Sequence, residues 1–263
     1  IESEESVAEA ARLFYSDGLA PIFQISNVTG DGLDLLRNFL SIVNPVKDWK
    51  AEREKGALLY IDDTFSVPDV GTVVSGTLLQ GKIEPADTLL LGPNQENNFT
   101  SVTVSSIHAN RLPVQIAYPG QSICVALANI DRSECKKGQA LASERLRPAA
   151  VWEFEASVCL LSESSVVPQK YETVVHCGCS KQTAILLEVQ DEESFGNGAA
   201  ARVRFKYKYH AEFLQPGDRF VFREGSSGGV GTVLKIIEPN SVDFPSLILD
   251  TAEEAAVCSK SAQ

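Results

Sequence analysis

Between Leu58 and Ile237 the sequence breaks into short apolar and β-branched runs, each stopped by Gly, Pro, Asn or Asp before a helical stripe can develop. The runs predict strands over 57–64, 71–79, 87–91, 100–107, 122–128 and 139–142. A second set is predicted over 152–161, 171–177, 182–189, 199–209, 219–223 and 229–237. Turn signals fall at Pro68-Asp69, Gly81, Pro93-Asn94, Pro119-Gly120 and Lys137-Gly138. Short strands at this spacing, with no helices to cross over a parallel sheet, point to small closed antiparallel barrels. Pro148, after the Arg-flanked stretch 145–148, marks a seam, so two barrels are expected.

The first residues have a different texture. Val7, Ala10, Ala11 and Phe14 recur at helical spacing over 5–15. Gly18 ends that stripe, and 20–26 reads as a short buried strand. Thr29-Gly30-Asp31-Gly32 then leads into a second stripe of Leu33, Leu36, Phe39, Leu40 and Val43, with Thr29 or Asp31 as the expected cap. Strand, Gly-bearing turn and helix make one closing unit of an α/β nucleotide-binding sheet. A polar connector covers 44–56, and 241–263 has no period. The expected organisation is 1–46 as the end of a nucleotide-binding domain, 47–147 and 148–240 as barrels, and 241–263 as a tail.

The net charge of −12 argues against a generic nucleic-acid binder, so any RNA contact has to be local and shaped. Six scattered Cys without a paired framework suit a reducing compartment, and no apolar run is long enough for a bilayer helix, so a cytoplasmic protein without membrane contact is expected. His176-Cys177-Gly178-Cys179 lacks a fourth ligand at usable spacing, so no metal site is expected. No Ser-His-Asp set or carboxylate pair suggests independent catalysis. Arg202 to His210 alternates strictly: Arg202, Arg204, Lys206, Lys208 and His210 fall on one strand face, and Val203, Phe205, Tyr207 and Tyr209 on the other. The aromatic face is expected in a core. The basic face is either a phosphate-tracking surface or a solvated face that discourages edge pairing.

Three strings resemble the elongation factor Tu-like translational GTPases. Ile61-Asp62-Asp63-Thr64-Phe65-Ser66-Val67-Pro68-Asp69-Val70-Gly71-Thr72-Val73-Val74-Ser75-Gly76-Thr77 resembles the opening hairpin of their second domain. Pro21 to Gly30 is similar to their last guanine-binding motif, and Gln215-Pro216-Gly217-Asp218-Arg219-Phe220 followed by Arg223-Glu224-Gly225 is similar to the closing strands of their third domain. Within the superfamily, the wording of 21–30, 61–77 and Val175-His176-Cys177-Gly178 looks closest to the GTP-binding protein 1 and 2 group.

The resemblance implies a mainly β fold: two elongation factor Tu-like barrels after an α/β remnant of a P-loop GTPase domain. It implies guanine contacts from Ser26, Asn27 and Val28. It implies a tRNA 3′-end pocket from Gly71, Thr72, Val73, Val74, His108 and Arg111, with His108 where the family has Glu and Val70 where it has Arg. A tRNA stem contact is implied at Thr183, Arg223, Glu224 and Gly225. GTP and Mg2+ would act in the intact protein, with aminoacyl-tRNA or other RNA, the ribosome and RNA-surveillance factors as partners and a monomeric chain. These 263 residues contain no Gly-x-x-x-x-Gly-Lys-Ser/Thr loop, so the chain by itself is expected to hold no cofactor and not to hydrolyse GTP. A selenocysteine-specific, initiation or rescue factor, or a non-hydrolysing protein-binding adaptor, remains an alternative.

Overall fold

The structure, a computed structural model, describes residues 1–16, 20–43, 47–160, 171–189, 200–224 and 227–237. The chain divides into two compact units, Ile1–Asp48 and Trp49–Gln263. Gly225 and the expected tail 241–263 lie outside the described residues.

In the first unit α1 (Glu4–Ser16) packs on α2 (Leu33–Ile42). Val7, Ala10, Ala11 and Phe39 form its core, with Phe14 edge-on to Phe39 and Phe23 tilted against it at 5.3 Å. Two expectations fail here. Residues 20–26 form no strand, and Ile22 is 80% exposed. A strand needs a neighbour's backbone groups, and among the described residues none pairs with this segment. Nor does a side chain cap α2. The Thr29 hydroxyl donates instead to the Asp31 carboxylate at 2.6 Å, and left-handed Gly32 occupies the cap position. A Cβ at Gly32 would lie 2.2 Å from the Gln24 carbonyl oxygen, which excludes any other residue there.

The expected polar connector continues into a one-turn helix, α3 (Trp49–Arg53). The first barrel follows as β1 (Leu58–Val67), β2 (Gly71–Gln80), β3 (Thr88–Gly92), β4 (Thr100–Ala109), β5 (Leu112–Val114), β6 (Ser122–Ala128) and β7 (Ala140–Ala142). Its order is β3-β7-β1-β2-β6-β4-β5, and the β3–β4 pairing closes six strands, leaving β5 appended to β4. β5 was not expected, because three residues with a central Pro and a 67%-exposed Leu112 show no alternation. The β1–β2 turn places Pro68 then left-handed Asp69 before a Val70 N–H to Val67 carbonyl bond, the type II arrangement. Gly76 is required because a Cβ would meet the Tyr60 carbonyl oxygen at 2.1 Å.

The second barrel is β8 (Glu153–Leu160), β9 (Glu172–Cys177), β10 (Ser180–Val189), β11 (Ala200–Tyr207), β12 (Arg219–Glu224) and β13 (Ser227–Ile237), closed in the order β10-β11-β8-β13-β12-β9. Period-two burial sends Phe154, Phe205, Phe220 and Phe222 inward, where their rings meet at 5.5–6.2 Å. The expected alternation of 202–210 holds only to Tyr207. β11 ends there, so Tyr209 is 66% exposed rather than in the core, and His210 leaves the strand. The basic face is largely neutralised. Glu153 accepts from Arg204 at 2.7 Å and Lys206 at 2.9 Å, and Glu172 accepts from Lys208 at 2.7 Å. Burial pushes the Glu153 pKa up, but the bonds from Lys206 and Arg204 outweigh it and hold the carboxyl below its ordinary range.

The barrels share a third core. The outward side chains of Leu58 and Tyr60 on β1 and Ala140 and Ala142 on β7 are buried against Phe213. Phe213 lies 5.9 Å from the Tyr60 ring and 6.1 Å from the Phe99 ring. The Tyr60 hydroxyl donates to Asp218 at 3.3 Å, and Asp218 also accepts the Gln215 N–H at 2.8 Å. This burial on both faces is why Leu58-Leu59-Tyr60-Ile61 reads as a continuous apolar run rather than an alternation.

Phe213→Ala is expected to cost about 3–4 kcal/mol in urea unfolding, because two aromatic partners cannot close on the void. Glu153→Gln is expected to lose about 1 kcal/mol at neutral pH. Since the folded pKa of Glu153 is depressed, its contribution is present above the unfolded value and vanishes as pH falls through the folded one. Stability curves of variant and parent should therefore converge in acid.

Candidate functional site

Three groups of residues singled out in the sequence have definite surroundings. In the first unit Ser26 organises a tight loop: its hydroxyl accepts the Thr29 N–H at 3.2 Å, its carbonyl accepts the Gly30 N–H at 2.9 Å, and its N–H donates to the Asp31 carbonyl at 3.0 Å. Asn27 and Val28 project from it, Val28 being 96% exposed. No hydrogen bond from their backbone N–H groups is found among the described residues.

On the first barrel, β6 lies between β2 and β4 and brings the hairpin to the histidine. Val73 pairs with Ala126 and Ser106 with Ala126, while Ser75 and His108 both pair with Cys124. Paired residues share a face, so two rows form on the outer side: Val73, Ala126, Ser106 and Ser75, Cys124, His108, of which Ala126 is nonetheless buried at 3% exposure and Val73, Ser75, Ser106 and Cys124 are half-buried. His108 is exposed. With strands about 4.8 Å apart, Val73 and His108 flank a shallow floor of small side chains roughly 10–12 Å across. The β4–β5 turn brings in Arg111, which together with Asn110 adopts positive φ, 67° and 50°. Two successive left-handed residues make the tight hairpin turn that favours Asn-Gly, and an Arg there carries strain of order 1 kcal/mol.

Not every hairpin residue reaches this face. Val74 is fully buried in the barrel core, and the Thr72 side chain turns inward to donate to the Ile130 carbonyl at 2.8 Å. Of the four hairpin residues expected in the pocket, only Gly71 and Val73 are not buried. The floor residues Ser75, Ser106, Cys124 and Ala126 were missed by sequence reasoning. The alternation of β2 carried the signal for Ser75, but the others depend on the β6 register, which sequence does not reveal.

The second barrel shows a comparable convergence. Val174 on β9 pairs with Thr183 on β10 and with Arg223 on β12, so the three stand in one outward row across adjacent strands. Arg223 is exposed, and Glu224 closes β12 opposite Ser227. One row further along, His176 pairs with Lys181 and Val221, adding two exposed polar groups beside an exposed valine. Arg202 is exposed on the neighbouring β11, with no ion pair among the described residues.

Between the barrels a cavity of about 210 Å³ is lined by Tyr60, Asp62, Leu79, Cys177, Cys179 and Asp218, among others. Burial pushes the Cys177 thiol up to about 12, and burial with a hydrogen bond to Asp62 pushes Cys179 up to about 11. Such thiols stay protonated at neutral pH and are poor nucleophiles and ligands. Among the described residues no three His, Cys, Asp or Glu side chains converge as a metal set, and no helix is long and apolar enough to cross a membrane.

The profile of elongation factor Tu domain 2 matches residues 71–142, the heart of the first barrel. The chain is 43% identical over 238 residues to GTP-binding protein 1 of Xenopus laevis, covering 90% of this chain and 36% of that protein. It is 34% identical to GTP-binding protein 2 of Mus musculus, covering 90% and 40% respectively. A selenocysteine-specific elongation factor of Methanocaldococcus jannaschii is 34% identical over 141 residues, 53% of this chain and 29% of that one. The chain thus spans well under half the length of these relatives. Among solved structures, translation elongation factor SelB from Methanococcus maripaludis superposes with a TM-score of 0.70 at 20% identity, covering 88% of this chain and 54% of that one, a likeness of fold. Over nine-tenths of its length the chain is therefore similar to GTP-binding proteins 1 and 2, its first barrel matches elongation factor Tu domain 2, and as a whole it resembles the elongation factor Tu-like translational GTPases.

Proposed function

We propose that this chain receives RNA, with aminoacyl-tRNA as the leading substrate, on the outer faces of its two barrels, in the cytoplasm and in the service of a GTP-driven cycle at the ribosome. One observation carries the reading. Residues far apart in sequence that the resemblance implicates share an outer sheet face, Val73 with His108 across β6 and Thr183 with Arg223 across β9, which supports the reading. The first suits a single-stranded 3′ end. Small floor residues let a nucleoside approach the sheet, His108 can stack or hydrogen-bond, and Arg111 supplies a cation from a rigid turn. The second suits an A-form stem, which is read through phosphates and 2′-hydroxyls by short polar groups and single cations.

Ser26, Asn27 and Val28 form the guanine contact in this reading, with the N–H groups of Asn27 and Val28 facing the base oxygen. GTP phosphates and Mg2+ would be held by segments outside these 263 residues, so the chain alone contributes recognition rather than hydrolysis. RNA-surveillance factors are further candidate partners, and a selenocysteine-specific cycle would use the same two sites with a narrower choice of tRNA.

Filter binding of the chain, and of its full-length GTP-bound parent, to charged and uncharged tRNA tests the reading. Tighter binding of the charged form is expected, and equal weak binding to both would sink it. Arg223→Glu is expected to weaken tRNA binding and lower the magnitude of its log–log salt slope by about 1. Arg111→Gly separates strain from function: relief of the left-handed Arg is expected to raise stability by about 0.5–1 kcal/mol while tRNA affinity falls. A variant that is more stable and binds equally well would remove Arg111 from the site.

A further inference from the structure

Lys208, Tyr209 and His210 leave the end of β11 and turn outward. Of the aromatic side chains described, Tyr209 is the most exposed, at 66%. An exposed tripeptide would ordinarily sample many conformations, but this one is fixed from below by a single buried amide. Gln182, 5% exposed, accepts the N–H groups of Tyr209 at 3.0 Å and His210 at 2.9 Å through its Oε1. Its Nε2 donates to the His210 carbonyl at 2.9 Å and to Glu212 at 2.9 Å. The Lys208 N–H donates to the Thr183 carbonyl at 3.0 Å, which joins the tripeptide to the row that holds Thr183, Val174 and Arg223. The Lys208 ammonium, itself paired to Glu172, stands 5.7 Å from the Tyr209 ring centroid.

A buried side chain that commits both ends of its amide to an exposed loop lowers the entropy cost of using that loop for binding. The group so presented is a large aromatic face. Charge alone does not explain the display, because Lys208 is neutralised by Glu172 and Glu212 stands 3.4 Å from His210. What remains available is the π-face of Tyr209 and the imidazole beside it. In a chain with net charge −12 this suits a nucleobase better than a phosphate, since stacking does not require a positive field.

We propose that Tyr209 is a stacking platform for an unpaired nucleobase of the RNA received at Thr183 and Arg223, held in place by Gln182 and flanked by His210. The inference rests on the RNA-binding reading above and adds a contact of different physical character. Arg223 acts through charge, whereas Tyr209 acts through its ring.

The test is titration of the full chain, as parent, Tyr209→Ala and Tyr209→Phe, with an unfractionated tRNA pool and with a blunt-ended RNA duplex lacking unpaired bases. Tyr209→Ala is expected to lose about 10-fold in affinity for the tRNA pool with an unchanged salt slope. Tyr209→Phe should bind like the parent, and duplex binding should be the same for all three. Melting temperatures should also agree, because the ring is largely in solvent. Unchanged tRNA affinity in Tyr209→Ala, while the parent binds, overturns this inference alone and leaves the ring to a protein partner. An equal loss on the duplex, or a loss accompanied by a shallower salt slope, overturns it in favour of a backbone contact. A parent that binds neither RNA overturns both this inference and the reading it rests on.

Discussion

Phe213 lodged between Tyr60 and Phe99 is the contact on which the geometry of the second unit depends. Each barrel has its own interior, closed by its own strand ladder, and neither interior alone dictates where the other barrel sits. The aromatic wedge does so, aided by the bond from Tyr60 to Asp218 and the contact of Cys179 with Asp62. Burying a tyrosine hydroxyl and a carboxylate together is costly unless they satisfy each other, so the bond also fixes register between the barrels. Burial raises the pKa of Asp218, while the Gln215 N–H and the Tyr60 hydroxyl act in the opposite sense. The two proposed RNA sites lie on different barrels, so their spacing is set by this interface.

Charge placement bears on how an acidic chain could meet RNA in the proposed function. The most basic stretch of sequence, 202–208, is not the freest in space, because Glu153 and Glu172 take up Arg204, Lys206 and Lys208. Those ion pairs brace β8 against β11 and β9 against the chain beyond β11, so they are structural first. The proposed contacts elsewhere rely on individual cations at turns and strand ends, on small side chains and on an aromatic ring. Such features recognise shape at close range and do not need a long-range positive field. Arg111 stands at such a turn in the left-handed region, a conformation that costs an arginine stability.

Much of the architecture was legible in the residues themselves. Short apolar and β-branched runs stopped by Gly and Pro marked twelve of the strands with only small shifts at their ends, and most of them alternate because one sheet face is wet and the other dry. The failures have equally local causes. Residues 20–26 look like a strand, yet pairing depends on a neighbour that no local pattern supplies. Thr29 and Asp31 look like caps, but they bond to each other and leave Gly32 at the helix end. Tyr209 continues the alternation on paper, whereas Gln182 captures the backbone of Tyr209 and His210 and turns the ring to solvent.

The sequence by itself determined the strand-rich texture, the two-barrel division, the family resemblance and the identities of the candidate RNA-contacting residues, because each rests on short-range pattern or residue type. Only the tertiary structure decided which of them can act together. Strand register across β6 set Val73 and His108 on one face and turned Thr72 and Val74 into the core; register across β9 put Thr183 and Arg223 in one row. Register and barrel closure are long-range choices: a shift by one residue would exchange the faces of a whole strand, and it is the packing of the two cores and the aromatic wedge between them that forbids it.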